Sequence, residues 1–264
     1  MFFDLPQGAK VDKYLAGMPT TQWLTWTNPR NEYSNAIILT AGGGGGGGSG
    51  IFGAAGGGGG GFGHIYCPLS LLPDILYIQV GIGGLSASGN GLSGANGTAS
   101  LISMYPSSAT ANNLITCNGG SGGSGTASTV PSGGSVTINN TLGIAQGFSG
   151  GDGGVRQTGG TGIYSLPTTG SPIYGGGGAG GGGGAALGGG MTSVSSLYPS
   201  TAGGYVNGFV IWKPFTVFGG SGSDAISNKS GNGIMGSGGG GRSSSSAPVG
   251  YGKGGDGFVI IICY

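Results

Sequence analysis

Few residues in this 264-residue chain could do covalent chemistry: it has one histidine, three cysteines and seven acids. G-x-S-x-G, the spacing of a serine nucleophile elbow, occurs at 119–123 and 147–151. An elbow needs a strand-to-helix turn and an imidazole within reach, and a chain with a single histidine supplies neither readily, so both matches read as products of glycine bias. G-x-G-x-x-G recurs for the same reason and is never followed by a credible helix, which removes the dinucleotide and phosphate-loop readings. His64 precedes Cys67 by three residues, a conceivable pair of metal ligands, but a structural zinc site wants four and the cysteines Cys67, Cys117 and Cys263 are dispersed. A packed histidine at the end of a glycine tract is the better reading. Asp152, Asp224 and Asp256 could form a glycosidase-type carboxylate pair only by converging in space; Asp152-Gly153-Gly154 and Asp256-Gly257 read first as turns, with side chains bonded to nearby backbone N–H groups. The expectation is a protein without catalytic residues, metal or cofactor.

Glycine makes up 72 of the residues, against eight basic and seven acidic ones. Each glycine inside a helix costs roughly 1 kcal/mol relative to alanine, so helical and doubly wound folds are excluded. Collagen needs glycine at every third position and far more proline than the 12 present. A positive mean hydropathy argues against a solvated disordered coil. The cations are scattered and nearly balanced by acids, which speaks against nucleic acid as a partner. The longest strongly apolar segment, 258–264, is far short of the roughly 20 residues of a membrane-spanning helix. No positive n-region precedes Asp4 at the start, so no secretory signal is expected, and an odd number of cysteines without C-x-x-C spacing fits a reducing cytosol.

Any functional surface must therefore be positioned by strands and glycine. Runs rich in β-branched and aromatic residues predict strands at 36–41, 75–80, 100–105, 135–138, 192–198, 209–212, 215–218 and 258–263. The first and last of these are apolar at successive positions, which predicts burial on both faces and mutual pairing. Between them lie glycine tracts at 42–48, 56–61, 175–178, 180–184, 188–190 and 238–241, flanked by residues that bury, such as Phe62, Leu187 and Ile234. Flexible linkers mix in polar residues instead. The alternative is polyproline II, with three residues per turn and a rise of about 3.1 Å, in which N–H and C=O point outward and parallel or antiparallel neighbours can bond one another. Only glycine lets the axes come that close. Fixing each backbone costs about 1–2 kcal/mol, so only a cooperative array that satisfies nearly all backbone groups could hold. The fold class expected is all-β and glycine-rich, with short strands, packed polyproline II helices and essentially no α-helix.

Residues 1–33 stand apart. They carry six of the charges, Trp23 and Trp26, and only two glycines. They read either as an arm that docks on a larger assembly, with Phe2, Phe3, Tyr14, Trp23 and Trp26 as attachment residues, or as a strand and loop covering a body that spans 34–264. Polar segments at 86–98, 107–113, 121–135, 165–174, 221–233 and 243–251 mix Ser, Thr, Asn and Gly with Tyr, the composition of recognition loops; solvated connections are the alternative. Asn90, Asn96, Tyr105, Asn112, Tyr174, Tyr198, Asn228 and Asn232 are the candidate contacts there. One internal echo, Ser-Met-Tyr-Pro-Ser-Ser-Ala at 103–109 and Ser-Leu-Tyr-Pro-Ser-Thr-Ala at 196–202, gives two copies, too few for a solenoid.

The order of Trp26-Thr-Asn-Pro29, Ile37 to Ala41 leading into Gly42 to Gly48, Leu72-Pro73 before Ile75 to Gly84, and the closing Gly254-Gly255-Asp256-Gly257 before Phe258 to Ile262 resembles the glycine-rich domain proteins of tailed-bacteriophage virions. The likeness covers residues 26–264. The wider architectural analogue is the tail-fibre tip adhesin that stacks polyglycine helices and displays loops; the N-terminal part departs from it, and no receptor-site residue carries over. The resemblance implies a non-enzymatic virion protein, assembled in the host cytoplasm and attached to other virion proteins through residues 1–33. Its place would be a tail fibre or tail tip that meets a host cell-surface receptor, or else a head fibre or capsid decoration with a purely structural role. Homo-oligomerisation is left open.

Overall fold

A computed structural model describes residues 8–16, 22–50, 54–125, 129–139, 143–154, 210–212, 215–217, 230–241 and 252–264. Among the described residues twelve strands run β1 (Lys10–Leu15), β2 (Leu24–Thr27), β3 (Asn35–Ala41), β4 (Phe62–Pro68), β5 (Ile75–Gln79), β6 (Ser100–Ser103), β7 (Asn113–Cys117), β8 (Val136–Ile138), β9 (Ile144–Phe148), β10 (Val210–Trp212), β11 (Phe215–Val217) and β12 (Phe258–Cys263). Helix is confined to two single 3₁₀ turns, Leu69–Leu71 and Thr110–Asn112, among the described residues. The fold is all-β.

The strands form two five-stranded antiparallel sheets, ordered β1-β12-β3-β4-β9 and β2-β5-β6-β7-β8, and a separate β10-β11 hairpin. β12 pairs with β3 as expected from their apolar runs, and β1 pairs with its other side. The apolar core lies between the sheets. Ile261, Ile38 and Ile65 meet Ile78, Ile102 and Ile115 there, all essentially inaccessible. β3 alternates buried and half-buried positions instead of burying both faces, because its partner sheet covers only one side. Residues 8–16 and 22–33 take the strand-and-cover form. Asp12 ties the two strands together, since its Oδ2 accepts a 3.0 Å bond from Trp26 Nε1.

Sequence patterning missed β1, β2, β4, β7 and β9. In β4 and β9 the reason is steric. A Cβ at Gly63 would collide with Ile115 Cδ1 and lie 3.2 Å from Val136 Cγ1, and a Cβ at Gly147 would sit 2.8 Å from Val136 Cγ1. Glycine is required where the opposite sheet's branched side chains press in, and it breaks the β-rich signature along the chain.

Eight of the strands, β3 to β9 and β12, adjoin a glycine-rich rod at one end of the sandwich. β3 continues as 42–49 and β4 is entered from 54–61; β5 leads into 81–87, and 92–98 returns to β6. β7 continues as 118–125, 130–135 enters β8, β9 continues as 149–154, and 252–257 enters β12. Rod 42–49 lies at the centre. The N–H groups of Gly42, Gly45 and Gly48 donate to the carbonyls of Gly61, Gly58 and Ala55, those of Gly43, Gly46 and Ser49 to Thr98, Ala95 and Leu92, and those of Gly44 and Gly47 to Gly255 and Gly252, at 2.7–3.0 Å. Its carbonyls accept from three parallel rods: Gly43 and Gly46 from Gly120 and Gly123, Gly44 and Gly47 from Gly84 and Ala87, and Gly45 from Gly239. The neighbours bond to one another in a closed ring, for example Gly58 to Ser121, Gly94 to Gly123, Gly254 to Gly84, Gly255 to Ser237 and Gly57 to Gly239. Every third residue faces the same neighbour. The whole of 41–50 is buried although most of it carries no side chain. A Cβ on Gly44 would overlap the Ser237 carbonyl, and one on Gly45 the Ser121 carbonyl.

The expected strand at 192–198 and the tracts at 175–178, 180–184 and 188–190 fall outside the described residues.

Candidate functional site

Side chains return to the rods at their perimeter, spaced by the same three-residue repeat. Asn118, Ser121 and Ser124 are separated by glycine pairs, as are Ser132 and Ser135, Ser149 and Asp152, and Lys253 and Asp256. A rod at the edge of the array has amides with no further rod to bond, and these side chains take them. Asp152 Oδ1 accepts from Gly133 N (2.9 Å), Asp256 Oδ1 from Gly83 N (2.8 Å), Thr98 Oγ1 from Ile82 N (2.8 Å) and Asn96 Oδ1 from Gly122 N (2.7 Å). Asn118 Nδ2 donates to Ser135 Oγ at 2.8 Å, and the Ser121 and Ser132 hydroxyls are 2.9 Å apart. The turn reading of Asp152 and Asp256 is therefore corrected: their carboxylates bind amides 19 and 173 residues away, closing the lattice edge. Lys253 Nζ pairs with Asp256 Oδ1 at 3.2 Å. The segments 86–98 and 121–135, expected as loops, consist largely of these rods.

The candidate contacts do not share one surface. Asn90 lies in the turn 88–91 at the rod tips, where Gly91 takes φ +72°. Asn96 and Asn232 lie on the flank, and their side-chain oxygens are already engaged, the latter by Lys253 N at 2.9 Å. Tyr105, 61% exposed, and Asn112 lie in the β6–β7 connection at the opposite end, beside the network in which Ser103 Oγ donates to the Asn112 carbonyl at 3.1 Å. Tyr174, Tyr198 and Asn228 fall outside the described residues.

Of the attachment set, Phe2 and Phe3 also fall outside. Trp26, expected to face a partner, is a core residue at 2% exposure. Tyr14 packs against the same core and donates to the Thr25 carbonyl at 3.4 Å; burial, with the Asp12 charge adding, pushes its phenol up to about 12. Trp23 is half-buried just before β2. Tyr14 and Trp26 thus fasten residues 8–16 and 22–33 to the body.

The residues weighed for chemistry lie apart. Ser121 and Ser149 are on rods instead of strand-to-helix turns. Register puts His64 on the outward face of its sheet and Cys67 on the inward face, so the two cannot share a metal. His64 sits between Phe62 and Phe148, with ring centroids 6.5 and 6.2 Å away, and burial lowers its pKa. All three cysteines are buried thiols, and burial raises the pKa of each, to about 11 for Cys67 and Cys263. Among the described residues no cluster of metal-ligating side chains occurs, and no helix is long and apolar enough to cross a membrane.

A sequence model of the glycine-rich domain matches residues 19–264. The chain belongs to the glycine-rich domain family. No curated protein matches it. In this glycine-rich domain the sequence signal overlooked at first is the triplet X-Gly-Gly. It marks perimeter rods, whereas uninterrupted glycine marks the rods that neighbours enclose.

Proposed function

We propose that this glycine-rich domain protein is a non-enzymatic structural component of a tailed-bacteriophage virion, carried at a tail fibre or tail tip and meeting the host surface through its rod array. We infer further that the rods are polyproline II helices, since bonding to a given neighbour recurs every three residues. The observation that carries the reading is the enclosure of rod 42–49 by six mutually bonded neighbours. Such an array is a stiff scaffold, and a stiff scaffold displaying polar side chains and tight turns suits recognition. The resemblance in segment order to virion proteins supplies the setting.

Connectivity gives the scaffold a direction. β1 starts at the sandwich end away from the rods, because Lys10 pairs with Cys263 and Leu15 with Phe258. Attachment through the N-terminal residues places the sandwich, with Tyr105 and Asn112, toward the virion, and the tips, with Asn90, outward. Asn96 and Asn232 keep structural work on the flank, so the tips are the preferred receptor-contact region. The second reading, a head fibre or capsid decoration, uses the same stiffness without a receptor.

The test is a density map of intact particles, with the chain located by a bound antibody fragment. A few copies at the distal tail with tips outward are expected. Many copies seated over the capsid surface would refute the receptor-contact reading and leave the decoration role.

A further inference from the structure

Five asparagines are followed directly by glycine: Asn90, Asn96, Asn118, Asn207 and Asn232. The pair has a chemistry of its own. A glycine nitrogen has no Cβ beside it and is unhindered, and a five-membered ring joins it to the side-chain amide carbon of the residue before. Attack forms a bond from Gly N to Asn Cγ and breaks the Cγ–Nδ2 bond; the leaving amide departs as ammonia with the proton of the attacking nitrogen. Water then opens the cyclic imide at either carbonyl. One opening gives aspartate, the other isoaspartate, whose backbone runs through the former side chain and is one methylene longer. One water is consumed for each ammonia lost, no oxidant takes part, and a neutral amide becomes a carboxylate.

The reaction needs a loose side chain and a peptide plane that can turn. The array denies both at three of the five sites. Gly97 N donates to Gly120 O at 2.9 Å, and Asn96 Oδ1 accepts from Gly122 N at 2.7 Å. Gly233 N donates to Lys253 O at 2.8 Å, and Asn232 Oδ1 accepts from Lys253 N at 2.9 Å. The plane between Asn118 and Gly119 is fixed through its carbonyl, which accepts from Gly61 N at 2.9 Å, and Asn118 Nδ2 is bonded to Ser135 Oγ at 2.8 Å. Asn207 falls outside the described residues.

Asn90 differs in each respect. It is exposed, as is Gly91. Leu92 N donates to Gly89 O across a turn with φ +72° at Gly91 and no positive φ at Asn90, the pattern of type II. That bond is 3.4 Å long, against 2.7–3.0 Å around the central rod, and it spans the plane between Asn90 and Gly91 without holding it. Among the described residues neither the Asn90 side chain nor Gly91 N has a hydrogen-bond partner. A Cβ built on Gly91 would meet nothing within 4 Å, so the approach to its nitrogen is open.

We propose that Asn90 is a self-modification site of the folded protein: Gly91 N displaces its side-chain amide, and the rod tip acquires a carboxylate while the asparagines bonded into the array keep their amides. This concerns the tip whatever the chain attaches to, so it stands or falls apart from the virion reading.

The test holds the full chain folded in mildly alkaline buffer, digests it, and reads the peptides by mass spectrometry with electron-transfer fragmentation, which separates aspartate from isoaspartate. Asn90 is expected to convert about tenfold faster or more than Asn96, Asn118 and Asn232, whose reaction waits on local opening of the array. In urea at the same pH the four rates should converge. Gly91→Ala should slow conversion at Asn90 severalfold, because a methyl group then stands beside the attacking nitrogen. Equal rates at the four sites in the folded chain, a spread of rates in urea as wide as in the folded chain, or an unchanged rate in Gly91→Ala would overturn the proposal.

Discussion

Adding one methyl group to the central rod gives the most direct measure of what the array contributes. In Gly45→Ala the new Cβ would lie against the carbonyl oxygen of Ser121, well inside ordinary contact of about 3.5 Å. The obstacle is backbone held by its own bonds: Ser121 N donates to Ser132 O and its carbonyl accepts from Gly58 N, both at 2.9 Å. Relief requires rods 42–49 and 118–125 to separate by about 1 Å, which weakens the bonds that join them, Gly120 N to Gly43 O (2.9 Å) and Gly123 N to Gly46 O (2.7 Å). Two weakened bonds cost about 1 kcal/mol each. Overpacking adds about 1–3 kcal/mol. The expected loss is thus about 3–5 kcal/mol, a large part of the roughly 5–15 kcal/mol that holds an ordinary domain. The comparison is Gly89→Ala, at the tip, where the nearest atom to a new Cβ is the tip of the Leu92 side chain at 3.2 Å. That change should stay within about 1 kcal/mol of the parent and can gain from reduced unfolded-chain entropy. Urea unfolding followed by far-UV circular dichroism measures both. Equal midpoints for the parent and Gly45→Ala would refute tight rod packing.

Asp256→Ala leaves Gly83 N without its acceptor and should cost about 1–3 kcal/mol, while Asp256→Asn, which keeps an oxygen there, should recover most of it in the same unfolding assay. His64 has a folded pKa held below its usual 6.5 by burial, so its neutral form favours the fold. Stability is then fully present above about pH 6.5 and falls as the pH drops through the folded value; His64→Gln should flatten that part of a melting-temperature profile. Cys67, Cys117 and Cys263, inaccessible and with raised pKa values, should resist a thiol-specific chromogenic reagent at pH 8 in the native protein and all react in denaturant; rapid native labelling of any of them would contradict the packing between the sheets.

What was legible in the sequence was whatever a single segment decides for itself. β3 and β12 announce themselves by unbroken β-branched runs, and the tract 42–48 announces a rod because only glycine fits at its axis. β4 and β9 were hidden because Gly63 and Gly147 answer to Val136 and Ile115 on the other sheet, a constraint that exists only once the sheets meet. Trp26 looked like an exposed anchor because nothing in its own neighbourhood shows that Asp12 will receive its indole N–H. Asn96 and Asn232 looked like loop residues for a related reason. Their role is to bond amides on a different rod, and the triplet spacing that reveals this reads locally as a polar, flexible stretch.

The sheets also explain how a chain so rich in glycine can be ordered. Fixing glycine backbone costs about 1–2 kcal/mol per residue with no side-chain burial to offset it, so a rod must gain nearly all of its stability from bonds to neighbours. Because five of the six rods around 42–49 run straight into or out of a strand, the sandwich sets the spacing and direction of most of the array. The hexagonal ring around 42–49 then closes from rods already held side by side. One consequence follows for function. Positions 42–48 of the enclosed rod, where a Cβ would overlap a neighbour's backbone carbonyl, tolerate glycine alone, and the perimeter positions that cap amides demand a hydrogen-bonding oxygen. The turn at 88–91, apart from Gly91 with its φ of +72°, is bound by neither condition. Sequence can change there without disturbing the array, which is the property a recognition tip requires.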